Sequence, residues 1–151
     1  VYANTPISNI TRKSLEKEIL PELSNKTEWE SVNFLLQFVQ TAFSYKNDLQ
    51  QFGQEKFFFA EELFYYPFSD CEDRSVLFSQ LVRRFLGLQV ILLDYPDHVT
   101  TAVKFNSSVS GDFVNIKGEQ YIICDPTYLH AKVGQSIPRY KKEKAKIYIL
   151  D

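Results

Sequence analysis

The change of hydrophobic period at Gly87 constrains the fold of this chain more than any other feature. Before Gly87 the apolar residues recur at helical spacing, and after it they form short runs of the kind found in β-strands. This separation predicts an α+β fold in which N-terminal helices pack on a mostly antiparallel sheet. The 151 residues are expected to form a single domain, 1–151, that can bury a core without disulfides.

Helical patterns dominate the first half of the chain. The first predicted helix, SNITRKSLEKEIL, is capped at Ser8 and ends near Pro21. The second begins at a capping box formed by Thr27 and Glu30. Its apolar stripe consists of Val32, Leu35, Leu36, Val39, Ala42 and Phe43. The regular pattern is lost over residues 45–70, so an irregular segment is expected there.

A third helix and four strands are predicted next. The helix is CEDRSVLFSQLVRRFLG, with Gly87 as its C-cap. Its predicted apolar positions are Val76, Leu77, Leu81, Phe85 and Leu86. The strands are LQVILLDY, HVTTAVKF, EQYIICDPTY and AKIYIL, and Pro126 stops the third. NSSVSGD and NIKGEQ are predicted hairpin loops, and RYKKEKAK is predicted to be a solvated loop and strand edge.

Composition argues against several classes of function. A net charge of -2 gives no electrostatic case for binding nucleic acid or an anionic membrane. The apolar runs are too short for a membrane-spanning segment. The two cysteines, Cys71 and Cys124, make no disulfide framework and show no metal-type spacing, so neither a metal nor a cofactor is expected. Because the chain begins at Val1 and lacks methionine, we expect a processed or excised form, which favours an exported protein without determining the compartment.

Cys71 lies where a loop is predicted to become a helix. Ser69 is a suitable N-cap and Glu72 follows three residues later, which makes a second capping box. The unpaired N–H groups and the helix dipole of the first turn lower the pKa of a thiol there. The acids Asp70, Glu72 and Asp73 oppose that effect, so a nearby imidazolium would be needed to stabilise a thiolate. Taken alone, the stretch favours a cysteine that merely lies at a helix start and has no chemical role.

A histidine and an acid complete a possible constellation. His98 opens a strand after a Pro-Asp turn, and Asp125 ends an apolar strand just before Pro126. Taken singly, they would be a structural or solvated histidine and a turn former. Taken together, the three residues follow one order: a cysteine at a helix start, a histidine at one strand and an acid at a neighbouring strand. This order is typical of a thiolate–imidazolium pair oriented by a carboxylate.

The same residues resemble a known family. The chain resembles the core of the transglutaminase-like superfamily of papain-fold cysteine enzymes. Two stretches carry the resemblance, SDCEDRSVLFSQLVRRFLGLQVILLDYPDHVTTAVKF and GEQYIICDPTY. The DCED stretch and the upstream YKNDLQQFGQEKFFFAEELF resemble the bacterial transglutaminase-like cysteine proteinase branch. The likeness covers roughly residues 30–130, which implies a papain-like core over about 27–130. The matching positions are Cys71, Asp73, LVRRFLG, His98 and Asp125-Pro126-Thr127.

The resemblance implies a catalytic triad. Cys71 would be the nucleophile, His98 the general base and then acid, and Asp125 the residue that orients His98. The backbone N–H of Cys71 would donate to the oxyanion, with Gln54 as a candidate second donor that could equally be a solvated loop residue. The chain departs from the family pattern at Ser69, often glycine, and at Val99-Thr100, often Ala-Trp. Both changes would alter the substrate groove and leave the triad complete.

The function this implies is thiol-dependent acyl chemistry on a peptide or protein amide. Hydrolysis is expected, as in a cysteine protease or amidase, partly because the chain resembles the cysteine proteinase branch and partly because nothing in the sequence excludes water in favour of an amine. A cross-linking transglutaminase with the same triad and a non-catalytic binding module on this fold are the alternatives. Cys124 is expected to be a small buried residue, and His130, a possible competing base, is expected in a loop.

Overall fold

A computed structural model describes residues 9–50 and 70–150 of the chain, with the side chains of 13–41 and 73–150. Within this part, three α-helices precede five β-strands, and a short 3-10 helix (Pro138–Tyr140) lies before the last strand. The elements are α1 (Asn9–Leu23), α2 (Glu28–Gln50), α3 (Asp70–Leu86), β1 (Gln89–Tyr95), β2 (His98–Lys104), β3 (Phe113–Ile116), β4 (Glu119–Cys124) and β5 (Lys146–Ile149). The predicted α+β class is confirmed.

The predicted start of α2 is confirmed by its hydrogen bonds. The Thr27 N–H donates to Glu30 Oε1 at 3.0 Å, and the Glu30 N–H donates to Thr27 Oγ1 at 3.2 Å. The first four stripe residues are fully buried: Val32, Leu35, Leu36 and Val39. The side chains of Ala42 and Phe43, like Ser8 at the predicted start of α1, lie outside the described residues. The expected loss of helix after residue 45 is wrong for 45–50, because α2 continues to Gln50 with no Pro or Gly to interrupt it.

The third helix begins and ends close to its predicted limits. It starts at Asp70, one residue after the predicted cap Ser69, which lies outside the described residues. Gly87 has a φ of 67°, and its N–H donates to the Arg83 carbonyl at 3.1 Å, as in a left-handed C-cap. Of the predicted apolar positions, Leu77 and Leu81 are buried, whereas Val76, Phe85 and Leu86 are only partly buried; the other buried apolar residues are Phe78 and Val82. Since α3 packs against α2, β1 and β2, it buries a broader face than a single stripe.

The five strands form one antiparallel sheet in the order β3-β4-β2-β1-β5. Four of them match the predicted strands, whereas β3 was not predicted. The predicted hairpin loop NIKGEQ is wrong for Asn115 and Ile116, which belong to β3. The turn itself is Lys117–Gly118, and both of its residues have positive φ. A four-residue edge strand is too short to show the alternation of apolar and polar residues that would distinguish it from the adjoining turn. The prediction that RYKKEKAK is solvated is confirmed over 141–144, which lead into the edge strand β5, and is wrong for Tyr140, which is buried against the sheet.

Apolar side chains are buried on both faces of the sheet. One cluster joins the helices to the sheet and includes Cys124. The second lies on the opposite face and consists of Ile91, Leu93, Tyr95, Ala102, Tyr121, Ile123 and Tyr140, with Ile137 and Ala145 packed against it. The segment 137–145 therefore covers the face that the helices leave open. None of the helices in the described ranges has both the length and the apolar character needed to cross a membrane.

Candidate active site

His98 and Asp125 are brought together by two neighbouring strands. His98 begins β2, where it pairs with Tyr95 of β1 across a two-residue turn. Asp125 directly follows β4, whose last residue, Cys124, pairs with Thr101 of β2. His98 Nε2 lies 2.7 Å from Asp125 Oδ2, and the two side chains are 10% and 2% exposed. This distance and burial describe a strong, charge-assisted hydrogen bond when the imidazole is protonated.

The carboxylate of Asp125 is held on both of its oxygens. Oδ1 accepts hydrogen bonds from the Thr127 N–H at 3.0 Å and from Thr127 Oγ1 at 2.9 Å. Oδ2 is thereby directed at His98. Donation from His98 Nε2 to a carboxylate leaves Nδ1 as the ring nitrogen that can accept or release a proton. Asp125 thus selects both the orientation and the tautomer of the imidazole.

The loop that carries Asp125 is fixed by Gln40 of α2. The side-chain amide nitrogen of Gln40 lies 3.0 Å from each of three backbone carbonyl oxygens, those of Asp125, Tyr128 and Ala131. Gln40 is 1% exposed, so its amide group is shielded from water and depends on these acceptors. Thr101 adds a further restraint by donating from Oγ1 to the Cys124 carbonyl at 2.5 Å.

Cys71 is the second residue of α3, in the first turn, and its side chain lies outside the described residues. One helical turn later, the buried Ser75 donates from Oγ to the carbonyl of Val99 at 3.2 Å. Val99 is the residue next to His98 in β2. Cys71 precedes Ser75 by four residues, which corresponds to about 6 Å of helix rise along the same face of an α-helix. Gln54, the candidate oxyanion donor, lies outside the described residues.

Cys124 and His130 fit their predicted environments. Cys124 is fully buried and its Sγ lies 3.6 Å from the Ile122 carbonyl oxygen, so the prediction of a small buried residue is confirmed. Burial, together with the nearby charge of Asp125, raises the pKa of the Cys124 thiol. This thiol is therefore neutral and inaccessible, which makes it a poor nucleophile. His130 is an exposed loop residue with a φ of 68°, also as predicted.

Two residues beside the site were not singled out from the sequence. Gln40 follows Leu36 by one turn, and a glutamine that continues an apolar face is a signal that could have revealed it. Tyr140 stacks on the His98 ring, with 4.8 Å between centroids and 16° between planes. Nothing local marks Tyr140, because it lies in the irregular segment before β5.

The described site contains acid–base groups and no assembled set of metal ligands. Among the described side chains, those of residues 13–41 and 73–150, no three His, Cys, Asp or Glu residues form a group that could hold a metal ion. In comparisons with known proteins, no family model, no curated protein and no solved structure matches the chain. What the site can do chemically therefore follows from its own residues: a buried histidine, oriented by a carboxylate, begins a strand that packs against the helix with Cys71 in its first turn.

Proposed function

We propose that this protein hydrolyses a peptide or protein amide bond through a triad of Cys71, His98 and Asp125. The observation that carries the proposal is the buried 2.7 Å contact between His98 Nε2 and Asp125 Oδ2. A solvated histidine needs no such partner, whereas a general base needs a fixed tautomer and a stabilised charged form. The resemblance of the DCED, His98 and DPT motifs to the transglutaminase-like superfamily supports the same roles.

Placement of Cys71 supports its role as the nucleophile. The first turn of α3 supplies backbone N–H groups without intrahelical partners and the positive end of the helix dipole. Both favour a thiolate, and a protonated His98 would add a full positive charge. The bond from Ser75 to Val99 ties this end of α3 to the start of β2, so the helix and the histidine are held in register.

The first half of the reaction forms a thioester. His98 takes the proton of the Cys71 thiol on Nδ1, and the thiolate attacks the carbonyl carbon of the amide to form a carbon–sulfur bond. The backbone N–H of Cys71 donates to the resulting oxyanion. His98 then returns its proton to the amide nitrogen as the carbon–nitrogen bond breaks. The amine leaves, and the acyl group remains on Cys71.

The second half releases the acid. His98 removes a proton from water, the hydroxide forms a carbon–oxygen bond with the thioester carbonyl, and the carbon–sulfur bond breaks. The proton on His98 returns to the sulfur or remains in the ion pair. Throughout, Asp125 stabilises the charged imidazole without taking its proton. An amine in place of water would give transfer instead of hydrolysis.

Capture of the acyl group on Cys71 tests this function. The chain is incubated with a pool of short peptide p-nitroanilides, nitroaniline release is followed, and acid-quenched protein is mapped by mass spectrometry. We expect release by wild type, an acyl adduct at Cys71, and loss of both in Cys71→Ala. Cys124→Ser is the matched control and should keep both, because Cys124 is fully buried. A fluorescent amine added in parallel reports transfer, and an absence of release by wild type would contradict the proposal.

A further inference from the structure

The aromatic ring of Tyr140 lies against the ring of His98. The two centroids are 4.8 Å apart and the planes differ by 16°, which is a nearly parallel stack. Tyr140 is 7% exposed and also contacts the ring of Tyr95 at 4.8 Å with a tilt of 39°. His98 is therefore bounded by a carboxylate at its Nε2 edge and by a phenol ring on one face.

Strand parity explains why Tyr140 meets His98. Side chains along a strand point alternately to the two faces of the sheet. His98 and Ala102 are four residues apart in β2 and therefore share a face, the one that the helices do not cover. Asp125 follows β4 with the parity of Ile123, a residue of that same cluster. The segment 137–145 covers this face, so its one buried aromatic residue reaches the histidine.

Tyr140 is itself held in place by a polar clamp. Its Oη donates to Asp97 Oδ1 at 2.9 Å, and Asp97 is the residue just before His98. Asp97 Oδ2 is paired with Arg139, whose guanidinium carbon lies 4.7 Å from the centre of the Tyr140 ring. The clamp joins the turn before β2 to the 3-10 helix that carries Tyr140.

Such a stack has two physical effects on an imidazole. The negative face of the phenol ring attracts an imidazolium more than a neutral imidazole, by cation–π attraction in a water-poor site. The ring also blocks rotation of His98 away from Asp125 and limits access of water to their hydrogen bond. The cation–π attraction favours the charged form of His98, and the blocked rotation keeps its ring in the working orientation against Asp125.

We infer that Tyr140 is a positioning residue that holds His98 against Asp125 and stabilises its imidazolium. The catalytic importance of this contact rests on the proposed function of Cys71 and His98. The contact itself can be tested through His98 alone. Tyr140 does not exchange a proton in this scheme, because its hydroxyl is engaged with Asp97.

Other charged and titratable groups lie on every element around His98. Those on the described elements are Tyr95, Asp97, Asp125, Arg139, Tyr140 and Glu143, together with Asp70, Cys71, Glu72, Asp73 and Arg74 in the first turn of α3. Burial and the charges of Asp125 and Glu143 raise the pKa of Tyr95, so its phenol stays neutral where histidines titrate. Tyr140→Leu and Tyr140→Phe both remove the hydrogen bond to Asp97, so the difference between these two variants isolates the effect of the aromatic face.

The titration of His98, followed by NMR in wild type, Tyr140→Leu and Tyr140→Phe, tests the inference. The chain has two histidines, and the exposed His130 is an internal reference. Leucine retains an apolar side chain but removes the π face, so the midpoint of His98 should fall by roughly half a pH unit to one unit. Phenylalanine retains the ring and should restore the midpoint to within about 0.2 units of wild type.

An unchanged or higher His98 midpoint in folded Tyr140→Leu would overturn the inference. If that variant does not fold, the wild-type spectrum still decides, because protons above an aromatic face are shielded. His98 ring protons should then lie upfield of those of His130 in the neutral form and move by less than about 0.2 ppm in Tyr140→Phe. Equal chemical shifts for the two histidines in wild type would overturn the stack directly.

Nitroaniline release separates this inference from the proposed function. If both hold, the pKa that governs the alkaline decline of kcat/KM is lower in Tyr140→Leu than in wild type, by the same amount as the NMR titration midpoint of His98. Tyr140→Phe restores both values. A purely structural role for Tyr140 would lower activity at every pH without moving that limb. If Cys71 performs no acyl chemistry, the His98 midpoint still falls in Tyr140→Leu, so the two failures are distinguishable.

Discussion

Replacing Asp125 with asparagine should lower kcat/KM for amide hydrolysis by about a hundredfold or more while the fold is retained. Asparagine has the same shape, and its carbonyl oxygen can still accept from the backbone and hydroxyl of Thr127. Its amide nitrogen would then face His98 Nε2 as a donor. Nε2 must become an acceptor, so the ring proton moves to Nδ1, the position that has to receive the proton of Cys71.

The matched control for this substitution is Thr127→Val. It removes one hydrogen bond to Asp125 Oδ1 but leaves the carboxylate charge and the contact with His98, so we expect less than about a threefold loss. Circular dichroism and thermal unfolding establish that both variants are folded, and nitrogen chemical shifts of His98 report the tautomer. Wild-type kcat/KM in folded Asp125→Asn would show that Asp125 does not orient His98.

Gln40→Leu should lower the free energy of unfolding by about 3 kcal/mol. The substitution removes the donor that three carbonyl oxygens share. Those of Asp125 and Tyr128 still accept from the N–H groups of Tyr128 and Ala131, whereas no other donor among the described residues reaches the carbonyl of the buried Ala131. A buried acceptor without a partner retains its full desolvation cost, and leucine cannot replace the lost donor. Because one of these carbonyls belongs to Asp125, hydrolysis should fall as well, even at temperatures where the variant remains folded.

Gln37→Leu is the control for Gln40→Leu. Gln37 lies on the same helix three residues earlier and is exposed, so the same change there should alter stability by no more than about 0.5 kcal/mol. Urea denaturation of both variants, with equal m-values, gives the comparison. Equal stabilities for the two variants would show that the hydrogen bonds of Gln40 do not hold the loop of Asp125.

Local patterns in the sequence were enough to predict much of the fold. The capping box of Thr27 and Glu30 and the C-cap at Gly87 involve residues no more than four apart, so both could be predicted without knowing the tertiary structure. The hairpin that presents His98 was predictable in the same way, from a Pro-Asp turn between two apolar runs. By contrast, β3 was missed because a four-residue edge strand has no buried face long enough to show alternation.

The supporting contacts of the site could not be predicted, because they join distant parts of the chain. Gln40 lies 85 residues from Asp125, and Tyr140 lies 43 residues from Asp97. Their side chains are ordinary for a helix and a loop, and only the packing of α2 and of segment 137–145 on the sheet gives them a role. His98 and Asp125 were recognised despite a separation of 27 residues, because each stands at the end of a predicted strand.

The most direct test of the thiolate–imidazolium pair is the rate at which iodoacetamide alkylates Cys71 from about pH 4 to about pH 9. Peptide mass spectrometry separates Cys71 from Cys124, whose buried thiol should react only after unfolding. We expect Cys71 to react well below the ordinary thiol pKa of about 8.5, and this acidic reactivity to disappear in His98→Ala. Titration of Cys71 as an ordinary thiol in both proteins would contradict the triad and, with it, the proposed enzyme.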